Sequence, residues 1–341
     1  MTRKTRITLG SIAGALLLLG IAALGVWEYI TTPYEGHEAQ WVRLPRGTTP
    51  EAMRDSLDAA LGERTAARVM RLYKAMAADS VAPRGAYLIE PGTSAKEIAR
   101  RLARHRQTPV RVTFNNIRTL PQLSERIARQ MELTPAEFLA ACDSLLPAAG
   151  FRGVEQYPAA FLPDTYEFYW TAPAADVVGK LLEVRNEFWT PERREQAKAL
   201  GVTPVEVATL ASIAEEETND RGERGEVARL YLNRVHRGMK LQADPTVKFA
   251  LSDFSLRRIR GEHLKVKSPY NTYYAPGLPP GPIRIPTAQT LRSVLEAPEH
   301  DYIFMCAKED FSGRHNFAAD YATHRANARR YQQALNKRGI K

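Results

Sequence analysis

From Ile7 to Trp27 the sequence ITLGSIAGALLLLGIAALGVW carries no charge, and about 20 apolar residues are what a helix needs to cross the hydrocarbon core of a bilayer. The run predicts a membrane span at residues 7–27. Arg3, Lys4 and Arg6 precede it, and Trp27 and Tyr29 stand where an aromatic belt belongs. Cationic flanks stay inside, so residues 1–6 are expected in the cytoplasm and the rest of the chain outside it. A cleaved signal peptide is the alternative. Against it, the run is longer than the usual apolar core of such a peptide, and Trp27, Glu28 and Tyr29 occupy the place of a small-residue cleavage site.

Beyond the span the periods shorten. Residues 28–40 are polar without periodicity and read as a linker. Trp41 to Leu44 alternates as a short strand, Thr49-Pro50-Glu51 opens a helix towards Leu61, and a second helix follows from Glu63 towards Ala77. Gly85 to Ile89 reads as a strand, Pro91-Gly92-Thr93 as a turn, and Ser94 with Glu97 as a capping box for a helix through Ile98, Leu102 and Ala103. This strand, helix, helix, strand order makes a small module over residues 41–108. It holds no cluster of ionisable residues with catalytic spacing.

The larger part, residues 109–341, opens with a strand at Val110–Phe114. Thr134 with Glu137, and Thr203 with Glu206, each make a capping box with proline at the first helical position. The stretches 161–168 (FLPDTYEF), 268–286 and 309–315 are rich in turn residues. Helices and strands in both parts give an α+β chain.

Composition narrows the classes. Of 341 residues, 44% are hydrophobic and 25% charged, close to globular averages, which excludes wholesale disorder and collagen-like folds. The two cysteines, Cys142 and Cys306, form no C-x-x-C motif, so a zinc ribbon and a thioredoxin-like site are excluded, while pairing and buried free thiols both stay open. The formal charge is +10, and residues 310–341 hold seven Lys/Arg against Asp310 and Asp320. No helix-turn-helix, finger or RNA-binding signature accompanies that charge, so no nucleic-acid partner is expected. Acidic wall polymer, anionic lipid or simply a solvated helix face accounts for it. His315 and His324 have no third ligand nearby and no G-x-S-x-G elbow exists, which argues against zinc and serine hydrolysis. Neither metal nor cofactor is expected.

The helix opened by Thr203 carries the candidate chemistry. Val207, Leu210, Ile213 and Ala214 recur at helical spacing. Advancing about 100° per residue from Leu210 brings Glu217 within roughly 20° of the same direction, with Glu215 and Glu216 well away from it. A carboxyl on a buried face keeps its proton to higher pH and can act as a general acid, with its two acidic neighbours pushing the same way. If the helix instead frays after Ile213, all three are surface charges. Polar side chains then follow densely: Asn233, Arg234, Gln242, Asp244, Thr246, Ser268, Tyr270, Asn271 and Tyr273. Amides bond hydroxyl and acetamido groups in two directions and tyrosine rings stack on sugar faces, so together these suggest a saccharide groove.

The stretch from Ala211 to Leu251, the loop from Ser268 to Thr287 and the tail RHNFAADYATH, together with FLPDTYEF, resemble the endolytic murein transglycosylases, the MltG or YceG-like family. The resemblance implies a LysM-like module before a catalytic domain, cleavage of nascent peptidoglycan glycan strands, a single-pass inner-membrane protein with a periplasmic catalytic domain, and association with peptidoglycan synthases. It places the catalytic glutamate at Glu217, within Ile213 to Thr218, and adds His315 to the substrate-binding candidates. Where relatives commonly carry a basic residue, this chain has Glu216, which is expected to raise the pKa of Glu217.

Family likeness implies one catalytic carboxylate, whereas ordinary glycosidases need two, about 5 to 5.5 Å or 6.5 to 9.5 Å apart. The expected reaction therefore runs on one glutamate, with the MurNAc C6 hydroxyl as internal nucleophile and a 1,6-anhydro end as product. The alternatives are a muramidase using Asp244 as base for water, and a non-catalytic wall-binding scaffold.

Overall fold

The computed structural model describes residues 3–77 and 82–339, with side chains from residue 12 onward; Met1, Thr2 and the side chains of Arg3, Lys4 and Arg6, on which the inside-outside reading rests, lie outside the described residues. Helix α1 (Arg3–Thr31) contains a 20-residue apolar window, Ile12–Thr31, none of it buried. Leu16 to Leu19, Ile21 and Leu24 are all more than half exposed. An all-round apolar helix without protein cover is what a span or a signal sequence looks like.

The chain divides into two units. The first comprises residues up to Arg111 with Gln130–Glu132 and Glu167–Ala172, and the second takes the rest. In the first, β1 (Gln40–Leu44) and β2 (Gly85–Ile89) pair antiparallel with Val42 opposite Tyr87. Helices α2 (Pro50–Leu61), α3 (Glu63–Met76) and α4 (Ala95–Ala103) complete it. Val42, Leu44, Met53, Leu57, Val69, Tyr87, Ile98 and Leu102 form its core, so the strand-helix-helix-strand order stands as read. The linker does not. Tyr34 is buried in that core, its amide donates to the Thr93 carbonyl (2.8 Å) and its carbonyl accepts from Gly92 (2.9 Å), so the segment is strapped to the module. A lone aromatic among polar residues has no period to betray it. The Ser94 capping box is half formed: Ser94 Oγ accepts from the Glu97 amide (3.2 Å), while the Glu97 carboxylate pairs with Arg100.

In the second unit the boxes at Thr134 and Thr203 are complete, opening α6 (Pro135–Leu145) and α9 (Pro204–Glu217). The segment read as a loop at 161–168 contains strand β4 (Asp164–Phe168), which pairs with β3 (Val110–Phe114); the Thr113 and Thr165 hydroxyls lie 2.8 Å apart and Phe114 stacks on Tyr166. Helix α5 (Leu120–Ala128) lies between β3 and α6 in sequence, and α7 (Ala174–Phe188) and α8 (Pro191–Ala199) follow β4. Later come α10 (Arg224–His236), α11 (Asp244–Ala250), α12 (Ala288–Leu295), the hairpin β5 (Phe304–Ala307) and β6 (His315–Ala318), and α13 (Tyr321–Lys337). Both cysteines are free thiols, and burial with the nearby Asp143 charge pushes Cys142 up to about 12.

Helix α9 is the centre of this unit, contacting α8, α10, α11 and α12. Every residue from Val207 to Glu215 is buried. Small residues allow the close approach around it. At Gly225 on α10 an added Cβ would meet the Ser293 carbonyl oxygen of α12 at 2.7 Å. Gly225→Ala is therefore expected to force the helices apart and cost about 1–3 kcal/mol, read as a lowered Tm; an unchanged Tm would show that the contact yields freely.

Candidate active site

The three consecutive glutamates at the end of α9 point into three different environments. Glu215 is buried. Its Oε1 accepts from the Thr287 amide (3.0 Å), the Thr287 and Thr290 hydroxyls (both 2.5 Å) and Arg224 Nη1 (3.3 Å), and Arg284 Nε lies 3.1 Å from its Oε2. Glu216 takes Arg118 Nη2 (3.0 Å) and Arg284 Nη1 (2.9 Å). Glu217 receives none of these three arginines. Tyr231 Oη donates to its Oε1 at 2.7 Å, and among the described residues no lysine or arginine forms an ion pair with it.

That difference sets the chemistry. Burial pushes the Glu217 carboxyl up to about 7; the Tyr231 hydrogen bond opposes the rise, the Asp244 charge adds to it, Lys248 subtracts, and Glu216 adds a smaller part. Glu216 thus acts in the direction expected from its charge. The helical-face reading needs correction: α9 is buried nearly all round and Glu215 is deeper than Glu217, so direction from Leu210 does not separate the three. Their partners do.

Glu217, Tyr231, Arg234, Gln242, Asp244 and Tyr273 line an open pocket of about 210 Å³, together with Leu230, Leu241 and Met305. Asp244 begins α11 and its Oδ1 accepts from Tyr273 Oη (2.7 Å). Burial and the Asp244 carboxylate raise the Tyr273 phenol far above its usual range, and burial and Glu217 do the same for Tyr231. Both stay donors at neutral pH. Arg234 is a brace: its guanidinium donates to the carbonyls of Ile303 (2.6 Å), Leu241 (2.7 Å) and Lys240 (3.2 Å). Gln242 follows this braced segment in a left-handed conformation, φ 54.

The remaining groove candidates lie elsewhere. Asn233 fastens the His300 and Tyr302 carbonyls (2.6 and 3.1 Å). Fully buried Thr246 bonds Ala243 O (2.7 Å) and the Thr272 hydroxyl (2.8 Å), and Asn271, also buried, donates to Leu264 O and Val266 O (3.0 and 2.8 Å). Ser268 Oγ accepts from the Tyr270 amide (3.2 Å), and the Tyr270 ring packs on Phe249 (4.6 Å). His315 Nδ1 is 3.1 Å from the buried Glu223 carboxylate, and His324 stacks on Phe304 (5.2 Å). These side chains bond to backbone and to one another, which is where buried amides and hydroxyls must go. Tyr231 was missed, although it lies three residues before Arg234 and so on the same face of α10.

Tyr231 positions Glu217 and holds its pKa down. Tyr231→Phe is expected to move the alkaline limb of the pH–rate profile upward, because the hydrogen bond favouring the carboxylate is lost; a profile that stays put or moves down would contradict this role.

With this geometry in view, the similarities are informative. The YceG-like family profile matches residues 42–330, and the chain belongs to the YceG-like family. The endolytic murein transglycosylase of Bacillus subtilis (strain 168) is 30% identical over 148 residues, 43% of this chain and 41% of that protein. The one from Streptococcus pneumoniae serotype 2 (strain D39) is 26% identical over 149 residues, 42% of this chain and 27% of that protein. The matched stretches thus span less than half the length of these curated relatives. The fold is similar to that of a solved yceG-like protein, lmo1499, from Listeria monocytogenes, with a TM-score of 0.57, 22% identity, and coverage of 85% of this chain and 99% of that one.

Proposed function

We propose that this chain is a membrane-anchored endolytic transglycosylase that cuts the MurNAc-GlcNAc β-1,4 bond within peptidoglycan strands, with Glu217 as its single acid and base. The observation that carries the reading is the environment of Glu217: of three adjacent glutamates it is the one left to a phenol, and burial pushes its carboxyl up to about 7. A group with that pKa divides between its two forms near neutrality, as a residue that must both give and take a proton requires. The transglycosylases of Bacillus and Streptococcus support the substrate class.

In this mechanism the Glu217 carboxyl gives its proton to the glycosidic oxygen as the C1–O bond of MurNAc breaks. The resulting carboxylate takes the proton of the MurNAc C6 hydroxyl while that oxygen bonds to C1. Two fragments form, one ending in the 1,6-anhydro sugar, and Glu217 is protonated again. No water is consumed. Tyr231 orients the carboxyl, and the internal nucleophile's effective molarity takes the place of a second catalytic carboxylate. In the same proposal α1 anchors the chain with its N-terminus inside, the periplasmic domain follows, residues 41–108 act as a LysM-like glycan-binding module, and the enzyme works beside peptidoglycan synthases.

Asp244 in the same pocket favours one competing reading, hydrolysis with Asp244 as the base for water. Mass spectrometry of products from uncrosslinked glycan strands separates the two. Internal fragments ending in anhydroMurNAc are expected, about 18 Da lighter than hydrolytic ends because no water is added. Reducing ends would assign the reaction to Asp244, and intact strands would leave the chain a wall-binding scaffold.

A further inference from the structure

A larger cavity, about 730 Å³, lies at the other end of α9 and has no part in the chemistry above. Three guanidiniums, Arg152, Arg185 and Arg194, border it, and its apolar lining includes Phe151, Pro279 and Pro280. Its one acidic residue, Glu206, is already engaged by the Thr203 amide (2.7 Å) and hydroxyl (2.8 Å). Arg185 is only 7% exposed. Its Nε reaches Ala159 O at 3.4 Å, its Nη1 reaches Asn186 Oδ1 at 3.1 Å, and its Cζ lies over the rings of Phe151 (5.2 Å) and Trp189 (5.7 Å). Among the described residues no carboxylate forms an ion pair with any of the three arginines. A buried cation held by a carbonyl, an amide and two rings, beside two more cations and an open space, is an incomplete electrostatic arrangement. Burial and Arg194 lower the pKa of Arg185 to about 10, and an anion would relieve both.

Two elements serve both cavities. The loop after Ser268 puts Tyr273 beside Glu217 and residues 277–280 here, and α10 puts Tyr231 and Arg234 there and Val235 and His236 here. Gly281 lets that loop close against residues 154–160, since a Cβ there would fall 1.8 Å from the Glu155 carbonyl oxygen. Fourteen residues of α9 separate the ends, about 20 Å at 1.5 Å per residue.

We propose that this cavity binds the free carboxylates of the peptide stem carried by the glycan strand held at Glu217. The inference rests on the peptidoglycan reading above. A stem of five residues extends over about 17 Å at most, comparable with the length of α9 between its two ends. Guanidinium forks bind carboxylates in a bidentate manner, and the proline and phenylalanine surface suits the methyl groups of alanine.

The test uses the full chain in detergent and the soluble pentapeptide L-Ala-γ-D-Glu-L-Lys-D-Ala-D-Ala. Calorimetry is expected to show binding that weakens at least tenfold in Arg152→Gln/Arg194→Gln, a loss of about 1.4 kcal/mol; both positions are exposed, so the variant folds. On stem-bearing strands that variant is expected to raise KM about tenfold with kcat unchanged, and on strands stripped of stems by an amidase to match the parent. Absent or unchanged peptide binding would overturn the proposal. So would equal kinetics of parent and variant on stem-bearing strands, or inorganic phosphate held by the arginines and not displaced by the peptide. If the parent cleaves no strand at all, the transglycosylase reading fails while the calorimetry still decides what the cavity binds.

Discussion

Glu217→Gln is expected to fold as the parent does and to cleave glycan strands about 10³-fold more slowly or worse, within the range a positioned acid and base contributes. The amide keeps the shape and can still accept from Tyr231 Oη, but it cannot give or take the proton. The same substitution has a stability signature with a definite sign. The carboxyl rises from 4.5 to about 7 on folding, so below about pH 4.5 both states hold the proton and the group contributes nothing. Between there and about 7 the folded protein keeps a proton that the unfolded chain has released, and stability falls as pH rises. Above about 7 the full cost of the buried charge is present, at most about 3 kcal/mol, since each pKa unit is worth about 1.4 kcal/mol and partial exposure reduces the total. Glutamine removes that cost. Denaturant unfolding is therefore expected to show the variant more stable than the parent at about pH 8 and equal to it at about pH 4. A gain independent of pH would contradict the assignment of the raised pKa to this side chain.

Glu215→Ala is expected to act in the opposite way, on the fold and not on the proton. The Glu215 side chain is 1% exposed and those of Arg224 and Arg284 are 14% exposed. Deleting the carboxylate strands two mostly buried guanidiniums and two hydroxyls, and removing one partner of a buried ion pair costs about 3–5 kcal/mol. The damage should spread to catalysis, because Arg284 also holds Glu216 (2.9 Å), and a released Arg284 is free to swing towards Glu217 and lower its pKa. Glu183→Ala, which breaks the solvent-exposed pair with Lys180, is the control and should leave the unfolding midpoint unchanged. Equal effects of the two substitutions would contradict the view that Glu215 is the anchor of the motif.

Where structure depends on neighbours in sequence, it was legible. Thr134 with Glu137 and Thr203 with Glu206 close their capping boxes within three residues, so the starts of α6 and α9 follow from local chemistry alone. The order of elements in the first module follows in the same way from alternation and turn residues. What was not legible depends on distant partners. Strand β4 looked like a loop because its pairing partner β3 lies some fifty residues earlier, and Tyr34 looked like linker because the core that receives it is assembled from α2, α3 and the first sheet. The site shows the same division. The EEE cluster and its helix were visible, but the feature that singles out Glu217 is the destination of Arg118, Arg224 and Arg284, which arrive from three other segments. Asn233 and Asn271 suit a groove by residue type alone. Their amides instead fasten backbone carbonyls, a role that burial decides and composition does not.

The central claim is that Glu217 keeps its proton to neutral pH. Its most direct test is ¹³C NMR of protein labelled at the glutamate carboxyl carbon, recorded across a pH series for the parent and for Glu217→Gln. One resonance, absent from the variant spectrum, is expected to titrate near pH 7. A resonance lost on substitution that titrates near the ordinary value of 4.5 would contradict the claim.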